Sequence, residues 1–294
     1  MPEPGPTSSW IGQGPPVRAR ARLAPPMTSG RRLSKLLAAL MAVQASLGLV
    51  LRREYRDVDW IVATWFGNDW VTLVVAVPLL VAGLARSTRG SLRARLIWLG
   101  LLGYAVYNYA FYLLGAALNV FFPVYVAAVV LAAVALIRAL SATAPDAVAA
   151  GFSAGAPVQL IGGCLLFIGC GLAAVWIWTW AAHVFAGHPT PVEPEAFRLV
   201  AALDLSLMVP ALTSGGALLW QRRPWGYVIA AIAGIQGSLY LLVLSVNAVV
   251  LISRGLSAPP GELPIWGTLL VITATGTLLL LGHAGGANRG VERP

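Results

Sequence analysis

Apolar residues along this chain come in long runs, broken by short joints that are polar, basic or proline-containing. A helix that crosses a membrane needs about 20 mostly apolar residues. Eight runs qualify within a few residues: 33–51, 70–86, 96–117, 120–140, 158–182, 197–220, 226–252 and 264–283. The pattern predicts an all-α fold, a polytopic membrane bundle of about eight transmembrane helices. The joint 118–123 is tight, and Pro123 can start the fourth helix because its missing N–H is unneeded in a first turn.

The runs divide the chain. Residues 1–32, rich in Pro, Gly, Ser and Arg, read as a disordered basic tail, with Met27 an alternative start. Residues 33–140 carry the first four helices, 158–283 the second four, and 284–294 a short tail. Arg31, Arg32 and Lys35 precede the first run, as in a signal peptide. No A-x-A site ends the run and Arg52-Arg53 follows at once, which favours an uncleaved helix. Residues 54–69 hold Asp57, Asp59 and Asp69 among Trp60, Ile61, Val62, Trp65 and Phe66. That mixture reads as an interfacial segment lying on the outer surface.

The two halves resemble each other. Asn108, Tyr112-Leu113-Leu114 and Asn119 share their spacing with Gln236, Tyr240-Leu241-Leu242 and Asn247. Val77-Pro78, Leu80 and Gly83 match Val209-Pro210, Leu212 and Gly215. Four helices return the chain to its starting side. The expected arrangement is therefore two parallel four-helix repeats about a pseudo-two-fold axis along the membrane normal, with their interface the place for a cavity.

Composition sharpens this picture. The 294 residues are 58% hydrophobic and 11% charged, with a net charge of +9. Soluble domains carry about 25% charged residues, so a water-soluble globule is excluded. The positive charge flanks the apolar runs instead of covering one face, which argues for membrane topology over nucleic-acid binding. With the N-terminus inside, 15 of the 20 basic residues are cytoplasmic, and only Arg52, Arg53, Arg56, Arg198 and Arg254 lie outside. Both termini are therefore expected in the cytoplasm. Trp60, Trp65, Trp70, Trp176, Trp178, Trp180 and Trp266 would mark the outer interface, and Trp98, Trp220 and Trp225 the inner one. Lys35 is the one lysine among the basic residues, a bias expected of a GC-rich bacterial genome.

Polar residues inside the runs are the candidate chemistry, because lipid satisfies no hydrogen bonds. Asp204 is read as the one acid well inside a run. It is either a proton or cation site or a hydrogen-bonded lock between helices. Tyr104, Asn108, Tyr112, Gly115 and Asn119 recur at spacings of four, four, three and four along the third helix, and Gln236, Tyr240 and Asn247 follow on the seventh. They are either helix–helix glue or the lining of a small-molecule or ion site. Gly162-Gly163, Gly169, Gly171, Gly215 and Gly216 mark close helix packing. Cys164 and Cys170 share one run and form no disulfide framework. His183 and His188 lie five apart beside prolines, which is no helical metal pair. No catalytic template, nucleotide loop or cofactor motif is present.

The stretch Tyr107-Asn108-Tyr109-Ala110-Phe111-Tyr112-Leu113-Leu114-Gly115 through Asn119, and Asp204 through Pro210 to Arg222-Arg223-Pro224-Trp225-Gly226-Tyr227, resemble a family of multi-spanning bacterial integral membrane proteins of no known activity. The resemblance implies a bacterial plasma-membrane location and brings no ligand with it. Three classes stand open: a transporter, channel or binding protein for a small molecule or ion; a non-catalytic accessory or sensory subunit with a membrane partner or homo-oligomer; and an intramembrane enzyme.

Overall fold

The computed structural model describes residues 28–285. Eight helices within them are long and apolar enough to cross a membrane, so the protein is an all-helical integral membrane protein. They are α1 (Thr28–Val50), α2 (Asp59–Ser87), α3 (Leu92–Gly115), α4 (Phe122–Ser141), α5 (Val158–Ala186), α6 (Pro194–Trp220), α7 (Pro224–Ser253) and α8 (Leu263–His283). Residues 28–32, expected in the tail, are the first turn of α1. The rest of that tail, Met27 and residues 286–294 lie outside the described residues.

Helix ends follow local chemistry. The Ser91 hydroxyl accepts from Ala94 N at 3.3 Å and caps α3. Prolines occupy the first turns of α4, α6, α7 and α8. Gly187 closes α5 in the left-handed region at φ 69°, a conformation glycine adopts without strain. Eight spans leave the start of α1 and the end of α8 at one end of the bundle, here called the terminal end. There Arg93 donates from Nε to Leu281 O and from Nη2 to Gly282 O, at 2.8 and 3.0 Å. It thus satisfies carbonyls that the last turn of α8 leaves open.

Pro78 and Pro210 stand mid-helix in α2 and α6. A proline there removes one N–H, and its ring crowds the carbonyl four residues back. Both helices absorb it in a single π turn. Val77 N–H donates to Thr72 O and Val209 N–H to Asp204 O, each bond one residue longer than an α-helical one.

On the terminal side of these turns, backbones approach closely. A Cβ added at Gly215 would stand 2.9 Å from Ala230 N, and one at Gly162 would stand 2.7 Å from Gly216 O. A Cβ at Gly83 would stand 3.2 Å from Trp98 N. So α2 packs on α3, α6 on α7 and α5 on α6. On the far side the partners change. The first half of α2 packs on α7, and the first half of α6 packs on α3. Gly67 meets Asn247, and Gly115 meets Leu199. The central pair, α3 and α7, interlocks where a Cβ at Gly100 would stand 2.6 Å from Ile235 Cβ. Gly171 faces open space and does not mark packing. The bare faces of α5 and α8, with Phe167, Trp178, Phe185 and Leu278 exposed, are apolar surface for lipid.

Three expectations are corrected. Residues 59–69 are not an interfacial segment, because they form the first three turns of α2, with Trp65, Asn68 and Asp69 buried. Asp57 secures the loop before them, accepting from Trp65 Nε1 and Ala117 N at 2.9 Å each. Asp59 sits in the first turn, where the helix dipole favours an acid. Trp65 and Trp98 are core residues, not interface markers, and Trp98 Nε1 donates to Ser34 Oγ at 3.0 Å. Asp204 is not the sole acid inside a run, because Asp69 is equally buried.

Candidate functional site

The exchange of partners beyond the π turns leaves a gap between α2, α3, α6 and α7. It forms a cavity of about 720 Å³, in the half of the bundle away from the terminal end. Cavities of about 300–1,000 Å³ hold drug-sized molecules. Its charged lining residues, Glu193, Glu195 and Arg198, are all exposed and stand at the rim. Deeper, the wall is aromatic and amide-bearing, with Trp65, Asn68, Tyr104, Tyr107, Asn108 and Tyr240.

Two of these side chains are incomplete. Asn68 Oδ1 and Asn108 Nδ2 are buried and have no hydrogen-bond partner among the described residues. Asn68 is 1% exposed and Asn108 4%. An unmet buried polar atom costs about 1–3 kcal/mol. Both residues line the cavity through other atoms, and the two unmet atoms themselves are enclosed by the packing.

Asp204 lies directly behind the wall, where the α6 π turn begins. Tyr107 Oη donates to Asp204 Oδ1 at 2.6 Å, and Trp176 Nε1 on α5 donates to Oδ2 at 2.9 Å. Tyr107 itself lines the cavity and meets Tyr240 edge to face, with centroids 5.2 Å apart at 71°. The carboxyl is therefore one hydroxyl away from the cavity, and it has no basic partner among the described residues.

Asp69 is a closed counterpart. Its Oδ2 accepts from Tyr55 Oη at 2.7 Å, and its Oδ1 from Tyr112 Oη at 2.8 Å and Gln44 Nε2 at 3.1 Å. Tyr109 Oη donates in turn to Gln44 Oε1 at 3.0 Å. Tyr55 lies in the loop between α1 and α2. Burial, and then the nearby Asp69 carboxyl, push its hydroxyl far above the ordinary range, which keeps it a donor. Gly48 on α1 approaches the same carboxyl so closely that no side chain fits. Every oxygen of Asp69 is thus answered by the protein itself.

Of the eight residues singled out in the sequence, Tyr104, Asn108, Tyr240 and Asn247 line the cavity. Asn247 also ties α7 to α2, because its amide nitrogen faces Thr64 O at 3.0 Å and Val243 O at 3.3 Å. Asp204 stands behind the wall. Tyr112 turns toward Asp69 and stacks on Trp65 and Tyr125, with centroids 4.8 and 5.0 Å away. Asn119 lies past the end of α3, where its Oδ1 accepts from Phe121 N at 2.9 Å. Gln236 sits deeper, beside Gly103.

Asn68, Asp69 and Tyr107 were missed. Asn68 and Asp69 belong to a stretch read as surface, and Tyr107 carries no unusual spacing. Among the described residues no group of His, Cys, Asp and Glu could hold a metal ion. His183 Nδ1 lies 2.8 Å from His188 O in an exposed turn. Comparison with known protein families, curated proteins and solved structures finds no match, so what is established is a polytopic helical membrane protein, on the strength of its own eight apolar helices.

Proposed function

We propose that this integral membrane protein binds and moves a small molecule through the cavity between α2, α3, α6 and α7. In this reading the terminal end faces the cytoplasm of a bacterial cell, because 15 of the 20 basic residues then lie inside. The cavity opens to the outside. The observation that carries the reading is its 720 Å³ of space with a buried carboxyl one hydroxyl behind the wall.

The reading treats the two halves as parallel repeats. The paired π turns, each directly before a Val-Pro, support this. So does the exchange in which α2 packs on α7 and α6 on α3. A pseudo-two-fold axis then runs between α3 and α7, and the cavity sits beside it. Ligand sites of repeat-built transporters lie at such interfaces.

Filling the cavity tests the reading. Ala202 is exposed and lines it, so Ala202→Trp occupies the space without disturbing packed helices. In a thermal-shift screen of the purified full chain, at least one small molecule is expected to stabilise the wild type and to lose that effect on A202W. Stabilising molecules that ignore A202W would refute the assignment. A stoichiometric second protein required for the effect would favour an accessory or sensory subunit.

A further inference from the structure

Two arginines far apart in the chain meet on one ring. Arg52 follows α1 and Arg254 follows α7, both at the end of the bundle away from the terminal end. Their Cζ atoms lie 4.2 and 4.8 Å from the centroid of Phe66 on α2. The two charges are therefore held within about 9 Å of each other, the sum of those distances. Both side chains are exposed. Arg52 Nε donates to Leu49 O at 3.3 Å, and no carboxylate among the described residues pairs with either guanidinium. Further into the span, α2 presents apolar surface. Phe66 meets Trp70 edge to face, with centroids 6.3 Å apart at 85°. Trp70 and Val74, four and eight residues on, are 45% and 58% exposed.

From this pairing, we propose that the surface of α2 between the ends of α1 and α7 binds an anionic phospholipid. The phosphate oxygens accept from the Arg52 and Arg254 guanidiniums, and an acyl chain lies along Trp70 and Val74. The site is separate from the cavity and stands whether or not the cavity holds a ligand.

Three features point the same way. A guanidinium is a planar fork of donors that matches phosphate, and a phosphate with one on each side sets their central carbons about 8 Å apart, inside the limit the shared ring imposes. Two like charges this close repel, and an anion between them removes that cost. The ring also restrains two long side chains, so less freedom is lost when they bind. The exposed apolar path from Phe66 to Trp70 and Val74 favours an anion that carries chains over a free one. Membrane topology gathers basic residues at the terminal end and gives no reason for a pair held at the opposite end. An arginine pair at the membrane surface suits the negative headgroups found there.

The test titrates the purified full chain, in uncharged detergent, with dioleoyl phosphatidylglycerol, dioleoyl phosphatidylcholine and the chainless glycerol 3-phosphate, and reads bound ligand by native mass spectrometry. Phosphatidylglycerol is expected to bind at least about tenfold more tightly than phosphatidylcholine, whose ammonium group offsets the phosphate charge, and than glycerol 3-phosphate, which lacks the chains. Arg52→Gln combined with Arg254→Gln should erase the preference. Arg53→Gln combined with Arg56→Gln removes the same charge from exposed neighbours and should leave it within about twofold. Phe66→Leu keeps every charge and frees both arginines, and should weaken phosphatidylglycerol about threefold, the scale of an exposed cation–π contact. The proposal is overturned if the two lipids bind equally, if R52Q/R254Q leaves the preference intact, or if R53Q/R56Q weakens binding as much as R52Q/R254Q does. Glycerol 3-phosphate binding as tightly as the lipid overturns the lipid as the source of the phosphate, and unchanged affinity in F66L overturns the role of the ring.

Discussion

Tyr107 faces the cavity with its ring and holds Asp204 Oδ1 with its hydroxyl at 2.6 Å. That single side chain joins the space a ligand would occupy to the buried carboxyl on α6. If the link serves transport, Asp204→Asn abolishes growth and uptake in a knock-out background, with protein levels within about twofold of wild type. Tyr107→Phe weakens both while costing about 1 kcal/mol of stability, the scale of one hydrogen bond between membrane helices. Uptake and growth of the knock-out strain check this. Full restoration by D204N, including any pH-dependent flux, removes the carboxyl from the function.

Asp69 should behave as a structural group. Three donors, from Tyr55, Tyr112 and Gln44, converge on it. Asp69→Leu removes all three bonds from the core, leaving Gln44 and Tyr112 only longer contacts to Tyr55 Oη at 3.3 Å and Trp65 O at 3.4 Å, and is expected to cost about 3 kcal/mol. Tyr55→Phe removes the bond to Asp69 and the 3.3 Å bond accepted from Gln44 Nε2, and costs about 1–2 kcal/mol. Unfolding in mixed micelles measures both. The function of Y55F at permissive temperature should be unchanged, which separates Asp69 from Asp204.

The contact between α5 and α6 depends on two glycines that face each other, Gly162 and Gly216. A Cβ at Gly216 would stand 2.7 Å from Gly162 O, which is backbone and cannot yield. Gly216→Val therefore costs about 1–3 kcal/mol by overpacking. Gly171→Val, one face away in open space, changes stability by about 0.5 kcal/mol or less. The same unfolding assay compares them.

Pro210 follows the π turn at which α6 changes partners. Restoring an N–H at this position lets α6 close the regular four-residue bond and lose its π turn. Straightening a kink of about 20° over the half-helix from Met208 to Pro194 moves its end by about 7 Å. Spin labels at Glu195 and Leu118 should therefore report a shift of several ångströms in Pro210→Ala, whereas Pro224→Ala, at the start of α7, leaves the distance unchanged.

The eight spans were legible because a bilayer imposes length and apolarity on each helix separately. What the chain does between helices was less so. The start of α2 read as surface because Asp57, Asp59 and Asp69 crowd its first turns, and no window along the chain reveals the donors that Gln44, Tyr55 and Tyr112 bring to Asp69. The stripe on α3 was half right. Steps of four residues drift by about 40° each around a helix of 3.6 residues per turn. Tyr104 and Asn108 reach the cavity, whereas Tyr112 has rotated toward α2 and Asp69. Asn119 was lost to the stripe altogether because α3 ends at Gly115. Val77-Pro78 and Val209-Pro210 were visible as a matched pair, but the π turn each requires appears only in the structure.

Solvent access along α6 is the most direct measurement of whether the cavity is an open binding site on the outer face. With Cys164 and Cys170 replaced by serine, single cysteines at Ala196, Leu199 and Ala202 line the cavity, and one at Leu207 is exposed away from its lining. A membrane-impermeant maleimide added outside intact cells should label the first three positions and leave Leu207→Cys unmodified. Labelling at Ala196→Cys alone, or labelling of Leu199→Cys and Ala202→Cys only after the cells are permeabilised, would contradict an outward-facing cavity.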